Sequence, residues 1–193
     1  MVYLEGTVIR QLRERRGLNQ RQLAERLCVS DKAVSKWETG RGLPDISILP
    51  ELAQALGVSL TELMTGSIVS NNNRSANMLR TAFYVCPVCG NIIHGVGGAS
   101  VSCCGIVLPP LEAEPSGGEH LLCPERSDGE YYLRLDCPMT RAHYISFMAY
   151  LSADSLQLVK LYPEQEAACR FAIRGPGLMY AYCNRHGLFS VKV

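Results

Sequence analysis

The sequence predicts a multidomain α + β protein in which a five-helix domain precedes a small cysteine-rich knuckle and an antiparallel β-sandwich. Two observations predict this order. Apolar residues recur at helical spacing in the first part of the chain, whereas short alternating runs typical of strands fill the last part. Of the nine cysteines, only Cys28 lies in the helical part. The expected division is a helical domain at 1–66, a polar, Asn-rich linker at 67–82, the knuckle at 83–112 and the sandwich at 113–193.

The composition excludes several classes of protein. With 19 Lys and Arg against 18 Asp and Glu, the 193-residue chain has a formal net charge of +1 and is not a general polyanion binder. A hydrophobic content of 47% is that of a globular protein. The sequence contains no apolar run of membrane-spanning length and no signal-peptide pattern, so we expect a cytoplasmic protein without a membrane partner. Nine cysteines in a reducing compartment favour metal ligation over disulfides.

The helical part carries start signals that agree with its apolar pattern. Asn19 with Gln22, and Ser59 with Glu62, have the spacing of capping boxes, and Ser30 is a good N-cap for the helix between them. Glycines follow several of the apolar runs and predict where helices end. These signals predict five short helices.

Residues 18–41 (Leu-Asn-Gln-Arg-Gln-Leu-Ala-Glu-Arg-Leu-Cys-Val-Ser-Asp-Lys-Ala-Val-Ser-Lys-Trp-Glu-Thr-Gly-Arg) closely resemble the helix-turn-helix of the Cro and phage-repressor type, the XRE family. In that family the second helix of the motif lies in the major groove of double-stranded DNA. The resemblance implies base contacts from the exposed face of the helix after Ser30, and phosphate contacts from the start of the preceding helix and from the residues just after the motif's second helix. The implied DNA-binding residues are Gln20, Asp31, Lys32, Ser35, Lys36 and Arg41.

Two further positions bear on this resemblance. Arg13 and Glu38 resemble an ion pair at the edge of the family's core. Cys28 departs from the family, which usually has glycine in this turn, and a left-handed backbone at a cysteine costs about 1 kcal/mol. The alternative interpretation is a solvated helical face on a protein-binding domain.

A Cys-x-x-Cys turn at Cys86 and Cys89, followed by Cys103 and Cys104, has the composition of a tetrathiolate metal site. Adjacent cysteines are unusual in zinc ribbons. The arrangement resembles desulforedoxin and the N-terminal part of desulfoferrodoxin, where four thiolates hold one iron. Because four thiolates suit iron and zinc alike, both metals stay open. A vicinal disulfide between Cys103 and Cys104 is a further alternative.

The strand-like part contains about seven short runs, which is typical of a small Ig-like antiparallel β-sandwich. Residues 137–145 (Cys-Pro-Met-Thr-Arg-Ala-His-Tyr-Ile) and 181–189 (Ala-Tyr-Cys-Asn-Arg-His-Gly-Leu-Phe) resemble the catalytic domain of desulfoferrodoxin and neelaredoxin, the superoxide reductases. In these proteins four in-plane histidines and one axial cysteine bind iron. The resemblance implies a second site, holding iron or zinc or left empty, at His120, Cys137, His143, Cys183 and His186.

Two departures weaken the expectation of enzyme activity. Cys137 stands in place of one in-plane histidine, and a second thiolate reduces the positive charge of the site and its attraction for an anion. Glu119 stands where the family has a lysine, which turns attraction of superoxide into repulsion. We therefore expect slow or absent superoxide reduction and assign no catalytic residue. Whether the chain is an enzyme stays open.

Together these parts predict a sequence-specific transcriptional regulator. We expect a homodimer that binds an operator in double-stranded DNA, with the metal-binding, desulfoferrodoxin-like region as sensor or dimerisation region. One alternative is a superoxide reductase carried on a DNA-binding domain. The other is a constitutive repressor whose second part only dimerises it.

Overall fold

The computed structural model describes residues 4–193, which form two compact units. The first unit ends at Ser70 and is helical, and the second, Asn71–Val193, contains all the strands found in residues 4–193. The first three residues of the expected helical domain lie outside the described residues. The predicted multidomain α + β class is confirmed.

The first unit contains five α-helices, and three of them begin at the expected caps Asn19, Ser30 and Ser59. Asn19 accepts a hydrogen bond from the Gln22 N–H at 2.8 Å, and Ser30 accepts one from the Ala33 N–H at 3.2 Å. Both capping boxes are formed. None of the helices in the described part of the chain has both the length and the apolar composition that a membrane span requires. The helices are α1 (Gly6–Arg15), α2 (Gln20–Arg26), α3 (Asp31–Glu38), α4 (Leu49–Leu56) and α5 (Leu60–Thr65).

The apolar faces of these helices meet in one core. Leu23 of α2, Val34 of α3 and Leu52 of α4 are fully buried there, with Leu63 of α5 beside them. Because α3 contributes one face to this core, its other face is left at the surface.

The second unit consists of short strands. A five-stranded sheet has the order β5-β12-β11-β8-β9, in which only β5 is parallel to its neighbour. A three-stranded antiparallel sheet has the order β10-β7-β6, and β1–β2 and β3–β4 are separate hairpins. The strands are β1 (Thr81–Val85), β2 (Ile92–Val96), β3 (Val101–Cys103), β4 (Ile106–Leu108), β5 (Ala113–Pro115), β6 (Cys123–Ser127), β7 (Glu130–Arg134), β8 (Ile145–Ser152), β9 (Leu156–Lys160), β10 (Ala168–Ala172), β11 (Gly177–Cys183) and β12 (Gly187–Lys192).

The two larger sheets pack face to face as the predicted sandwich. Leu133 and Phe171 of the three-stranded sheet share a core with Met148, Met179 and Ala181 of the five-stranded sheet. Cys183 belongs to this core, and Cys137 and Cys169 pack against it.

The opposite face of the five-stranded sheet is covered as well. Phe147 of β8 and Tyr180 of β11 belong to a second core together with Phe83 of β1. The centroid of the Phe83 ring lies 5.5 Å from that of Phe147 and 5.2 Å from that of Tyr180. All eight residues of β8 are buried as a result. Phe83 of the knuckle therefore packs directly on the outer face of the sandwich, in this second core.

The second half of the expected linker at 67–82 is folded against the knuckle. Asn71 Nδ2 donates a hydrogen bond to the Val96 carbonyl at 3.0 Å. Asn73 is buried, and its amide exchanges hydrogen bonds of 2.9 and 3.0 Å with the backbone of Asn77. Strand β1 begins at Thr81, inside the expected linker. An Asn-rich composition indicates a loop, but asparagine amides can also fix a loop in place. The division into four segments stays a prediction.

Candidate nucleic-acid interface and metal centres

Helix α3 presents a polar face opposite its buried one. Val34 and Trp37 are buried and hold the helix against the core. The four DNA-binding residues predicted on α3 lie on its other face: Asp31, Lys32 and Lys36 are exposed, and Ser35 is half-buried. Arg41 is exposed in the loop that follows, and its N–H donates to the Lys36 carbonyl at 2.9 Å. This surface offers cations, one carboxylate and one hydroxyl to a partner.

A buried ion pair joins α1 to α3 at the base of this surface. Arg13 Nε donates to Glu38 Oε1 at 2.6 Å, and Arg13 Nη2 donates to Oε2 at 3.0 Å. Gln20 Nε2 donates to the same carboxylate at 2.8 Å. Burial alone would raise the pKa of Glu38, but the hydrogen bonds from Arg13 and Gln20 outweigh it and hold that pKa below its ordinary value. The structure thus contains the expected pair, and it directs the amide of Gln20 at Glu38.

The turn between α2 and α3 is left-handed at Cys28, where φ is 53°. The Cys28 N–H donates to the Glu25 carbonyl at 3.3 Å, and the thiol is exposed. The departure noted in the sequence therefore falls on a position that favours glycine.

The four cysteines of the knuckle form one cluster. Their sulfur atoms all lie within 4.8 Å of one another, and Cys89 Sγ is 3.6 Å from Cys103 Sγ. Cys86 is buried, whereas Cys89 and Cys104 are exposed. The Cys89 backbone N–H is directed at Cys86 and, against the effect of burial, lowers the pKa of that thiol to about 7. A lowered pKa favours the thiolate, which is the form of cysteine that binds metals. The structure brings together all four predicted ligands.

A second cluster lies at one end of the sandwich. Cys183 ends β11, His186 follows in the turn to β12, and His143 precedes β8. His186 Nδ1 is 3.4 Å from Cys183 Sγ and 3.3 Å from His120 Nε2. One donor atom from each of these four residues lies within 4.8 Å of the others.

The arrangement of the three imidazole rings suits a metal ion. The ring centroids of His120 and His143 are 5.9 Å apart, whereas that of His186 is 4.8 and 4.9 Å from them. The three centroids therefore form a compact triangle, with room for one ion among the rings. His143 Nε2 is buried, and no residue in the range 4–193 forms a hydrogen bond with it. Burying a ring nitrogen without a partner is costly, and a bound cation removes that cost.

The structure does not bring Cys137, the fifth predicted ligand, into this group of four. Its sulfur is absent from the cluster formed by the other four. Cys137 is half-buried, packs against the sandwich core and lines a cavity of about 710 Å³. A cysteine sulfur lies one bond from Cβ, whereas the nitrogens of histidine lie further out in the ring. A cysteine at a histidine position therefore has the shorter reach.

A second cavity, of about 410 Å³, borders the cluster at His143. Glu119 and Asp136 line it, together with Leu121 and Pro138. No lysine or arginine is among the residues of its wall in the described part of the chain. The approach to the cluster is therefore acidic, as the replacement at position 119 predicts.

Two residues near the cluster were not singled out from the sequence. Phe189 stacks on His120, with centroids 4.3 Å apart and planes within 6°. Asn184 hydrogen-bonds with both chain neighbours of His143. Both lie in the segment 181–189, so the motif contained them, but only the fold shows which ligands they contact.

Fold and sites together define a helix-turn-helix protein with a β-sandwich unit that carries two donor clusters. A family model described as "Helix-turn-helix" matches residues 9–63. An HTH-type transcriptional regulator, y4dJ of Sinorhizobium fredii, is 44% identical over 62 residues, which are 32% of this chain and 80% of that protein. The chain belongs to the helix-turn-helix transcriptional regulators of the XRE type.

Another relative is the HTH-type transcriptional activator BcrR of Enterococcus faecalis, 34% identical over 103 residues and 45% of this chain. This chain spans about half the length of that activator and of one of the desulfoferrodoxins it matches, with 50% and 45% covered.

The second unit is similar to desulfoferrodoxins. The desulfoferrodoxin of Desulfarculus baarsii is 28% identical over 122 residues, which cover 58% of this chain and 97% of that protein. The crystal structure of the superoxide reductase from Treponema pallidum matches with a TM-score of 0.52 at 24% identity, covering 58% of this chain and 97% of that one. The structural likeness establishes the sandwich fold.

Proposed function

We propose that this protein is a sequence-specific DNA-binding transcriptional regulator whose second unit binds metal and acts as sensor or dimerisation region. The observation that carries the proposal is the presence, in one chain, of a helix-turn-helix with a polar α3 surface and a sandwich with two donor clusters. A signal received at the metal sites would then alter how the helical unit engages DNA.

On the DNA, α3 would lie in the major groove. Lys32 and Lys36 would donate to guanine acceptors, and Asp31 would accept from a cytosine amino group, with Ser35 beside them. Arg41 would bind a phosphate and fix the register. Gln20 is also proposed to bind a phosphate, through the part of its amide that does not donate to Glu38.

A homodimer is proposed because helix-turn-helix proteins bind paired half-sites about one helical turn apart. A cytoplasmic location is proposed because cysteine clusters suited to metal ligation fit a reducing compartment, where thiols stay available as ligands.

We propose iron or zinc at each cluster. Cys86, Cys89, Cys103 and Cys104 would hold one ion, since four thiolates suit either metal. His120, His143, Cys183 and His186 would hold the other, and the Arg185 backbone N–H, 3.5 Å from Cys183 Sγ, would stabilise that thiolate. A redox-active ion there would supply electron-transfer chemistry, and zinc would supply structural rigidity.

The alternative, a superoxide reductase on a DNA-binding domain, has less support. The cavity beside His143 is lined by Glu119 and Asp136, which repel an anion. Cys137, in place of the fourth histidine, lies outside the donor group.

The DNA-binding proposal is tested by selecting sequences from a randomised duplex pool with the full chain. Lys36→Ala should cost about 1–3 kcal/mol on the selected sequence and relax preference at one base position. Arg10→Ala is the matched control, because Arg10 is an exposed cation on α1 that pairs with Glu14. No selected sequence at low salt, or equal losses for the two variants, would contradict the assignment of α3 as the reading helix.

A further inference from the structure

One exposed amide connects the two segments that carry donors of the second cluster. Asn184 follows Cys183 in the turn between β11 and β12. Its Oδ1 accepts a hydrogen bond from the Tyr144 N–H at 2.9 Å, and its Nδ2 donates to the Ala142 carbonyl at 3.2 Å. Ala142 and Tyr144 are the chain neighbours of His143, so this amide holds the backbone on both sides of that ligand.

The backbone of Asn184 adds a third link, from its N–H to the Tyr144 carbonyl at 3.1 Å. Within residues 4–193, all hydrogen bonds that join segment 140–144 to segment 183–187 involve Asn184. The other hydrogen bonds near His143 are local, such as that from its N–H to Thr140 Oγ1 at 3.1 Å. Local bonds shape the loop but do not place it relative to the turn.

The side chain of Asn184 is exposed and adds nothing to the apolar core. The sandwich is already held by the paired strands β8 and β11 and by the core between the sheets. A role in overall stability therefore does not explain the hydrogen bonds of the Asn184 amide on both sides of His143, whereas a role at the donor cluster does.

We infer that Asn184 is a positioning residue of the second metal site, which sets the place of His143 relative to Cys183 and His186. The inference rests on the proposed metal binding by these residues. Without the amide the loop keeps its local bonds but is free to shift, and the buried Nε2 of His143 loses its alignment with the other donors. His120, Cys183 and His186 keep their mutual contacts.

The test uses the full chain with its four-cysteine cluster first filled with one equivalent of Zn²⁺, followed by titration with Co²⁺. We expect Asn184→Ala to bind this Co²⁺ about 10–100-fold more weakly than wild type. In the paramagnetic proton NMR spectrum the wild-type protein should show hyperfine-shifted signals from three imidazoles, and the variant should lose those of one, His143. Gln157→Ala is the matched control, because the Gln157 amide exchanges the same kind of paired hydrogen bonds with the backbone of Ala172 and belongs to neither donor cluster.

Three outcomes would count against the inference. Equal Co²⁺ affinity with three imidazoles still shifted in Asn184→Ala would overturn the positioning role directly. A weaker Co²⁺ affinity of Asn184→Ala, together with a loss of thermal stability in its metal-free form that is larger than that of Gln157→Ala, would assign Asn184 a merely structural role. Failure of the wild-type chain to bind the second equivalent would overturn the proposed metal site itself, and the inference with it.

Discussion

Cys28 holds the turn between α2 and α3 with φ at 53°, a conformation that costs a residue with a Cβ atom about 1 kcal/mol. We expect Cys28→Gly to raise the free energy of unfolding of the first unit by about that amount. Cys28→Ala is the control, because it removes the thiol and keeps the Cβ atom. Trp37, the single tryptophan of the chain, is buried in this unit, so its fluorescence in urea follows the relevant transition. Equal stabilisation by both variants would locate the effect in the thiol instead.

Glu38 gives the first unit a defined response to acid. Its pKa lies below the ordinary value of 4.5 because the hydrogen bonds from Arg13 and Gln20 outweigh the effect of burial. A carboxyl group with a lowered pKa in the folded state stabilises the fold above its unfolded pKa, and this contribution is lost as the pH falls through the folded value. We expect the urea midpoint of the first unit to fall as the pH drops below about 4.5. Glu38→Gln should be less stable at pH 7 and should show a flatter acid limb. An unchanged limb would show that other carboxyl groups control it.

For single residues, the sequence predicted which side chains interact better than it predicted how far a side chain extends. Arg13 and Glu38 were identified because both positions resemble the ion pair of the helix-turn-helix family. Cys137 was placed among the ligands because its position in the motif is that of a ligand, but whether a shorter side chain reaches the centre depends on the backbone around it. Asn184 acts through neighbours about 40 residues away in the chain, a distance that local pattern does not bridge.

Among the elements, helices were predicted more completely than strand order. The caps at Asn19, Ser30 and Ser59 are local in sequence, so the starts of three of the five helices could be recognised in advance. Strand alternation predicted a sandwich, but not that β5 adds in parallel to β12. It also did not show that β1 covers the outer face of the large sheet, because such pairings depend on contacts far apart in the chain.

The hairpin β3–β4 depends on its cysteine cluster more than β1 does. It is short and half of its residues are exposed, whereas Phe83 of β1 is buried in the second core. We expect Cys89→Ser to release one metal equivalent and to permit proteolysis within 97–108, while β1 stays protected. Cys123→Ser is the control, because Cys123 belongs to neither donor group. Metal analysis and limited proteolysis measure both effects. Full metal content in Cys89→Ser would show that the ligand set is wrong.

For the molecule as a whole, the acidic approach and the missing fourth histidine determine what the second cluster can do. We expect the iron-loaded natural chain to reduce superoxide far below the diffusional ceiling of about 10⁸–10⁹ M⁻¹s⁻¹. Glu119→Lys with Cys137→His should raise the rate, since one change reverses the charge beside His143 and the other supplies a longer ligand. Pulse radiolysis measures the rate, and Glu119→Lys alone separates charge from ligation. A natural chain already near the ceiling would make the enzyme hypothesis the better one.

Strand β8 is buried on both faces because the sandwich core lies on one side of its sheet and Phe83 with its neighbours on the other. A fragment trimmed to residues 113–193 would therefore keep its fold but uncover Phe147, Leu151 and Tyr180 in one contiguous patch. Apolar patches of this kind make soluble proteins adhere to one another. The cysteine knuckle thus also covers apolar surface that would otherwise promote self-association. Shortening the chain at that boundary should therefore yield aggregates rather than a soluble smaller domain.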